Sequence, residues 1–133
     1  MARLKRFLLV DDSNSTNFFN KTIIQKTDCV EEVIIATNGS NAMQYLQSDT
    51  IPEIIFLDLN MPVMNGWEFL EQHNQLSATN KNSKIIVMIG AKLSEEEEKT
   101  LKSFPQVIEF REKMLTKEIV LEIVSKYFDK PLN

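Results

Sequence analysis

Four short apolar runs punctuate this chain, FLLV (7–10), VIIA (33–36), IIFL (54–57) and IIVM (85–88), and a fifth strand, VIEF (107–110), carries one acid at Glu109; each is followed by a stretch with helical patterning. A continuous apolar run of four residues does not alternate as a half-solvated strand does. It reads as a strand buried on both faces, which requires a parallel sheet with helices packed above and below. The connections are short, so the order is (βα) repeated five times in a three-layer sandwich.

The helices carry their own signals. Ser13-Asn14-Ser15-Thr16 offers caps for a first helix, with Phe18, Phe19, Thr22, Ile23 and Lys26 marking a stretch with one apolar side. Asn38-Gly39 closes the second strand, and Ser40 can cap a helix to about Gln47 whose buried side is Ala42, Met43, Tyr45 and Leu46. Pro52 stands before the third strand because proline cannot lie inside a central one. WEFLEQH forms a third helix after Pro62 and Gly66, and Gln75–Lys84 reads as a surface loop. Ser94 and Glu97 have capping-box spacing, with the acids 95–98 placed favourably in a helix's first turn. The last helix starts at Thr116, with Ile119, Val120, Ile123, Val124 and Phe128 recurring at helical spacing, and can staple Leu115 to Val120.

Composition excludes several classes. A chain of 133 residues is one ordinary domain, and it ends one helix after the fifth strand, which predicts a single domain over 1–133 without an effector domain. No apolar run approaches the roughly 20 residues that span a bilayer. The apolar N-terminal run meets Asp11 and Asp12 before a signal-peptide core can form, so a cytoplasmic protein is expected. Net charge is −4 with scattered basic residues, which gives nucleic acid no footprint. One cysteine and one histidine leave only oxygen ligands for a metal, favouring Mg²⁺ or a similar hard cation.

Ligand sites in open α/β sheets lie beyond the carboxyl ends of the strands. Here the first strand ends in Asp11-Asp12, the third in Asp58, and the fifth leads to Arg111-Glu112-Lys113. If the first and third strands are neighbours, three carboxylates converge and repel unless a cation sits among them. Asp58, at an exposed strand tip outside the core, is then a carboxylate nucleophile available to a phosphoryl group, with Lys113 to stabilise transferring charge.

LLVDDS, IIFLDLNMPVMNGWEFL and FREKMLTKE together resemble the receiver domain of two-component response regulators, the CheY-like family. The resemblance covers nearly the whole chain, and its spacing is specific: Asp12 precedes Asp58 by 46 residues and Lys113 follows it by 55. It implies a flavodoxin-like fold with a five-stranded sheet of order 2-1-3-4-5. It implies Asp58 as phosphoacceptor, and Asp12, Asp58 and the Asn60 carbonyl as Mg²⁺ ligands, with Asp11 acting through water. Lys113 would contact the phosphoryl group, which would come from a sensor histidine kinase or a histidine phosphotransfer protein. Output would pass to a downstream protein from a monomer or weak dimer, with no catalysis beyond the chain's own phosphorylation and dephosphorylation.

Three positions depart from the family pattern. Ile89 stands where a switch Thr or Ser hydroxyl is usual, and Gly90 and Ala91 offer none either. Met114 replaces the proline that commonly follows the lysine, so a trans peptide is expected there. Phe110 replaces the usual switch aromatic and lacks a phenol. Two readings follow: a stand-alone receiver that signals through Asp58, or a non-switching interaction module in which phosphorylation has little effect. A small Mg²⁺-dependent phosphatase is a third, but no second general acid–base is evident. Trp67 is expected to pack beside the site, His73 to be a solvated helix residue and Cys29 to be inert.

Overall fold

The computed structural model describes residues 3–47, 51–61, 63–76, 82–112 and 114–128. In chain order the elements are β1 (Leu4–Val10), α1 (Asn14–Thr27), β2 (Val30–Ala36), α2 (Gly39–Leu46), β3 (Ile54–Asp58), α3 (Gly66–Asn74), β4 (Lys84–Ile89), α4 (Glu95–Lys102), β5 (Val107–Glu112) and α5 (Lys117–Phe128). All strand pairs are parallel and the sheet order is β2-β1-β3-β4-β5, the expected flavodoxin-like arrangement. No helix of the described residues is long and apolar enough to cross a membrane.

Successive strand residues supply two separate cores, because a strand's side chains alternate between faces. Phe7, Leu9, Ile54, Phe56, Ile86 and Met88 pack with Ile24 of α1 and with Val120, Ile123 and Val124 of α5. Leu8, Val10, Ile55, Leu57, Ile85 and Val87 pack on the other face with Ala42, Met43 and Leu46 of α2, Phe69 and Leu70 of α3, and Leu101 of α4. Each such large side chain, fully buried, contributes on the order of 1.5–3 kcal/mol. Both faces must be covered, which is why the runs are unbroken. The strands extend beyond those runs into residues such as Lys5 and Glu31, which are exposed at the margins of the sheet.

Local chemistry sets the helix starts. Asn65 and Glu68 form a capping box (Asn65 N to Glu68 Oε1 3.0 Å, Glu68 N to Asn65 Oδ1 2.9 Å), as do Ser94 and Glu97. The Thr116 hydroxyl accepts from the Ile119 amide at 3.1 Å, and Leu115 and Val120 lie in one core, consistent with the staple. Helix α2 is capped by Asn38 rather than Ser40: the Asn38 side chain accepts the Asn41 amide at 2.8 Å. Tyr45 is half exposed, leaving Ala42, Met43 and Leu46 as that helix's buried side.

Two further expectations change. The buried side of α1 is Asn17, Asn20 and Ile24, while Phe18 is 72% exposed and Phe19 is exposed as well. Both asparagines find backbone partners, so their burial carries no unmet polar cost. His73 is fully buried rather than solvated, because it shares a helical stripe with Gly66, Phe69 and Leu70; its ring lies 5.8 Å from that of Phe69. Cys29 is buried, with the Thr27 hydroxyl 2.9 Å from its sulfur.

Candidate functional site

Asp58 is the last residue of β3, opposite Met88 of β4, and is only 3% exposed. This corrects the expectation of an exposed tip: the strand continues one residue past Leu57, and the following loop folds back over it. Gly66 makes that return possible. Its amide donates to the Leu59 carbonyl at 2.9 Å, and a Cβ there would stand 2.6 Å from both the Asp58 carbonyl oxygen and the Leu59 Cα. Only a residue without a side chain fits so close an approach. The Asn60 amide donates to Asp58 Oδ1 at 3.3 Å, and Asn60 itself is exposed. Val63, between β3 and α3, has a left-handed backbone (φ 67°) and is exposed.

The neighbouring strand delivers the other two acids. Asp11 follows β1 directly, is buried, and stays in sheet-like register through its amide, which donates to the Ala36 carbonyl at 3.1 Å. Its Oδ1 accepts the Ser13 amide at 2.9 Å, and its carbonyl accepts from Asn17 Nδ2 at 2.8 Å. Asp12 is exposed. One carboxylate oxygen from each of Asp11, Asp12 and Asp58 lies within 4.8 Å of the others, so the two strands do bring the three acids together. Like charges this close favour a hard divalent cation, and all-oxygen ligation is what Mg²⁺ prefers. The donor set fits that ion.

Beside Asp58 lies a cavity of about 90 Å³, lined among others by Asn60, Trp67, Ile89 and Lys92. Trp67 thus packs where expected. Ile89, the last residue of β4, presents a hydrocarbon, and the adjoining Gly90 and Ala91 also line the space without a hydroxyl. Phe110 is partly buried and packs on the core of the α2, α3 and α4 face. Lys113 and the peptide joining it to Met114 lie outside the described residues, as does Pro62. Met114 has a left-handed backbone with φ 71°.

A second charged group sits on β5. Glu109 Oε2 accepts from the Tyr127 hydroxyl at 2.5 Å and the Lys126 ammonium at 3.2 Å. Arg111 Nε donates to Glu109 Oε1 at 2.6 Å, while its other arm reaches Glu122 at 2.7 Å. Burial pushes the Glu109 carboxyl up, but the bonds from Tyr127, Arg111 and Lys126 outweigh it and hold the group below its ordinary value. The Tyr127 phenol is raised, by burial first and by its bond to Glu109 second.

Residue patterning alone misses several of these roles. Asn17 and Asn20 reach loop backbones at the sheet edge, Gly66 allows the close return over Asp58, and Lys92 lines the cavity. The i, i+3, i+7 spacing of Asn17, Asn20 and Ile24 was the available signal for the first two, obscured by the louder Phe18-Phe19 pair.

A family model described as "Response regulator receiver domain" matches residues 7–125. A two component response regulator from Cytophaga hutchinsonii superimposes with a TM-score of 0.85 at 29% identity, covering 97% of this chain and 100% of that one. Chemotaxis response regulator CheY4 of Vibrio cholerae gives a TM-score of 0.76 at 25% identity, covering 92% and 98%. "Protein-glutamate methylesterase/protein-glutamine glutaminase 3" of Burkholderia thailandensis is 39% identical over 67 residues, which is 50% of this chain and 18% of that protein. The chain spans about a fifth of the length of the first three curated relatives it matches.

Proposed function

Because this chain belongs to the response regulator receiver domain family of two-component signalling, we propose that it accepts a phosphoryl group on Asp58 and passes the signal on by binding another protein. The observation that carries the reading is the meeting of Asp11, Asp12 and Asp58 within 4.8 Å beside a small cavity at the carboxyl edge of the sheet. The donor would be a phosphohistidine on a sensor kinase or phosphotransfer protein. An Asp58 carboxylate oxygen attacks phosphorus, the P–N bond breaks, and the imidazole leaves carrying a proton. The product is an acyl phosphate on Asp58.

Asp12, Asp58 and the Asn60 carbonyl would hold Mg²⁺, with Asp11 contributing through water, and the ion would supply charge neutralisation at the phosphoryl oxygens. Asp11 is oriented for its share by the Ser13 amide and by Asn17. Lys113 would add a second positive charge toward the phosphoryl group. The loop after β3, braced by Gly66, holds the nucleophile in a largely water-excluded position. A cytoplasmic location and a monomer or weak dimer belong to the same proposal, as does chemistry confined to the chain's own phosphorylation and dephosphorylation.

Ile89 favours a second reading, a non-switching interaction module. A sec-butyl group at the cavity wall donates no hydrogen bond to a phosphoryl oxygen, and a bond to a charged group is worth about 1.5–3 kcal/mol. Without it, phosphorylation would move the loop population only slightly.

Phosphoramidate with Mg²⁺ separates these readings. Intact mass should rise by one phosphoryl group in the parent and not in Asp58→Asn, and the adduct should be lost at alkaline pH. No adduct in the parent would sink the phosphoacceptor reading. An adduct without amide shifts over residues 89–93 or at Phe110 would favour the non-switching module.

A further inference from the structure

Two buried amides on α1 stand out because a helix facing a core usually presents apolar side chains there. Asn17 and Asn20 are three residues apart, so they share one face of the helix. Each spends its side chain on a loop at the carboxyl edge of the sheet. Asn17 donates to the Asp11 carbonyl at 2.8 Å, and Asn20 accepts the Leu115 amide at 2.9 Å across 95 residues of sequence. One helix face therefore ties the β1–α1 loop, which carries Asp11 and Asp12, to the β5–α5 turn, which carries Lys113 in sequence.

The turn needs such a tie. Its residues, Glu112 to Thr116, include no glycine or proline to set the backbone, yet Met114 adopts φ 71°. An unbranched residue enters that region only where surrounding contacts hold it. Leu115 provides two: its side chain is buried in the core of the α1 and α5 face, and its amide is held by Asn20. Proline, whose ring keeps φ near −65°, is incompatible with the Met114 conformation. The tertiary bond from Asn20 thus supplies a restraint that the local sequence of the turn does not.

We infer that Asn20 is a positioning residue, holding the β5–α5 turn in register with the acid cluster so that the turn's contribution to phosphoryl transfer is correctly aimed. The inference rests on the reading of Asp58 as phosphoacceptor. It also makes a purely structural statement, that the Leu115 amide depends on Asn20, which can be tested separately.

The experiment compares the parent, Asn20→Leu and Asn20→Asp in the full chain. Asn20→Leu keeps the size and removes the acceptor; Asn20→Asp keeps the acceptor. Three quantities are read: hydrogen exchange at the Leu115 amide, Mg²⁺ affinity from Trp67 fluorescence, and the rate of phosphorylation by phosphoramidate. Losing one buried hydrogen bond corresponds to about a tenfold change. Asn20→Leu should therefore exchange the Leu115 amide about tenfold faster and phosphorylate about tenfold more slowly. Its Mg²⁺ titration should stay within about twofold of the parent, since the acids are untouched, and Asn20→Asp should recover most of the rate. If Asn20→Leu does not fold, Asn20→Ala is read on the same three quantities. A rate within twofold of the parent overturns the positioning role, and so does an equal loss of rate and Mg²⁺ affinity. If the parent itself forms no adduct, the phosphoacceptor reading falls. Faster exchange at Leu115 would then still establish the tie, and unchanged exchange would remove both.

Discussion

Glu109 and Asp58 are both carboxylates held mostly out of water on the same sheet, and their surroundings are opposite. Glu109 is met by a phenol, an ammonium and a guanidinium, so its charge is matched within a single patch of β5 and α5. Asp58 is met by Asp11 and Asp12, with a carboxylate oxygen of each within 4.8 Å. One arrangement fastens α5 to an edge strand, and the other concentrates charge of one sign. The difference points to different roles: the Glu109 patch fastens elements together, whereas acids gathered at a strand end suit a cation that arrives from outside.

The contrast breaks most severely if the acid edge loses its geometry. Gly66→Ala places a Cβ 2.6 Å from backbone atoms of Asp58 and Leu59, neither of which can step aside as a flexible side chain would. We expect a loss of about 3 kcal/mol, read as a lower urea midpoint at unchanged m-value. Asp58 should be displaced with it, so Mg²⁺ affinity should fall by more than stability alone explains. The same substitution leaves the Glu109 group untouched, and the shifts of Tyr127 should not move.

Much of this was readable from residues alone, for physical reasons. Doubly buried strands require unbroken apolar runs, and strand ends in an open sheet are where ligands meet, so the fold and the approach of Asp11, Asp12 and Asp58 could be anticipated. Asp58's burial could not, because it depends on how closely the loop returns at Gly66, a distance no pattern encodes. In α1, hydrophobicity points to Phe18 and Phe19 as the inner face. Asn17 and Asn20 hold the interior because backbone groups satisfy them, the Asp11 carbonyl six residues away and the Leu115 amide 95 residues away. His73 is a simpler case: a polar side chain masks its place on the Phe69 and Leu70 stripe.

Glu109→Gln sharpens the other side of the comparison. It keeps the shape but turns charge-assisted bonds from Tyr127, Lys126 and Arg111 into neutral ones, at a cost of about 1–2 kcal/mol at neutral pH. Because the folded carboxyl titrates below its unfolded value, its stabilisation is present above the unfolded value and fades as pH falls through the folded one. The gap between parent and Glu109→Gln in denaturation midpoint should therefore be full at pH 7. It should narrow below about pH 4.5, the ordinary value of the group. A gap constant down to pH 3 would mean that the carboxylate's charge does not contribute.

The smallest effect has the opposite sign. Two unit charges within 4.8 Å of each other repel by about 1 kcal/mol at the dielectric of water, and by more where burial excludes it. Removing one member of the acid cluster should therefore stabilise the fold where removing Glu109 weakens it. In chelated, low-salt buffer Asp58→Asn should raise the urea midpoint by an amount corresponding to about 1 kcal/mol. Adding Mg²⁺ should reverse the ranking, since a ligand that binds only the folded state stabilises it in proportion to its occupancy, and Asp58→Asn lacks one of the three carboxylates. The parent should gain stability with rising Mg²⁺ while the variant responds weakly. Parallel responses in the two proteins would show that the acids do not act together on a cation, and the distinction between the Asp58 and Glu109 groups would reduce to burial alone.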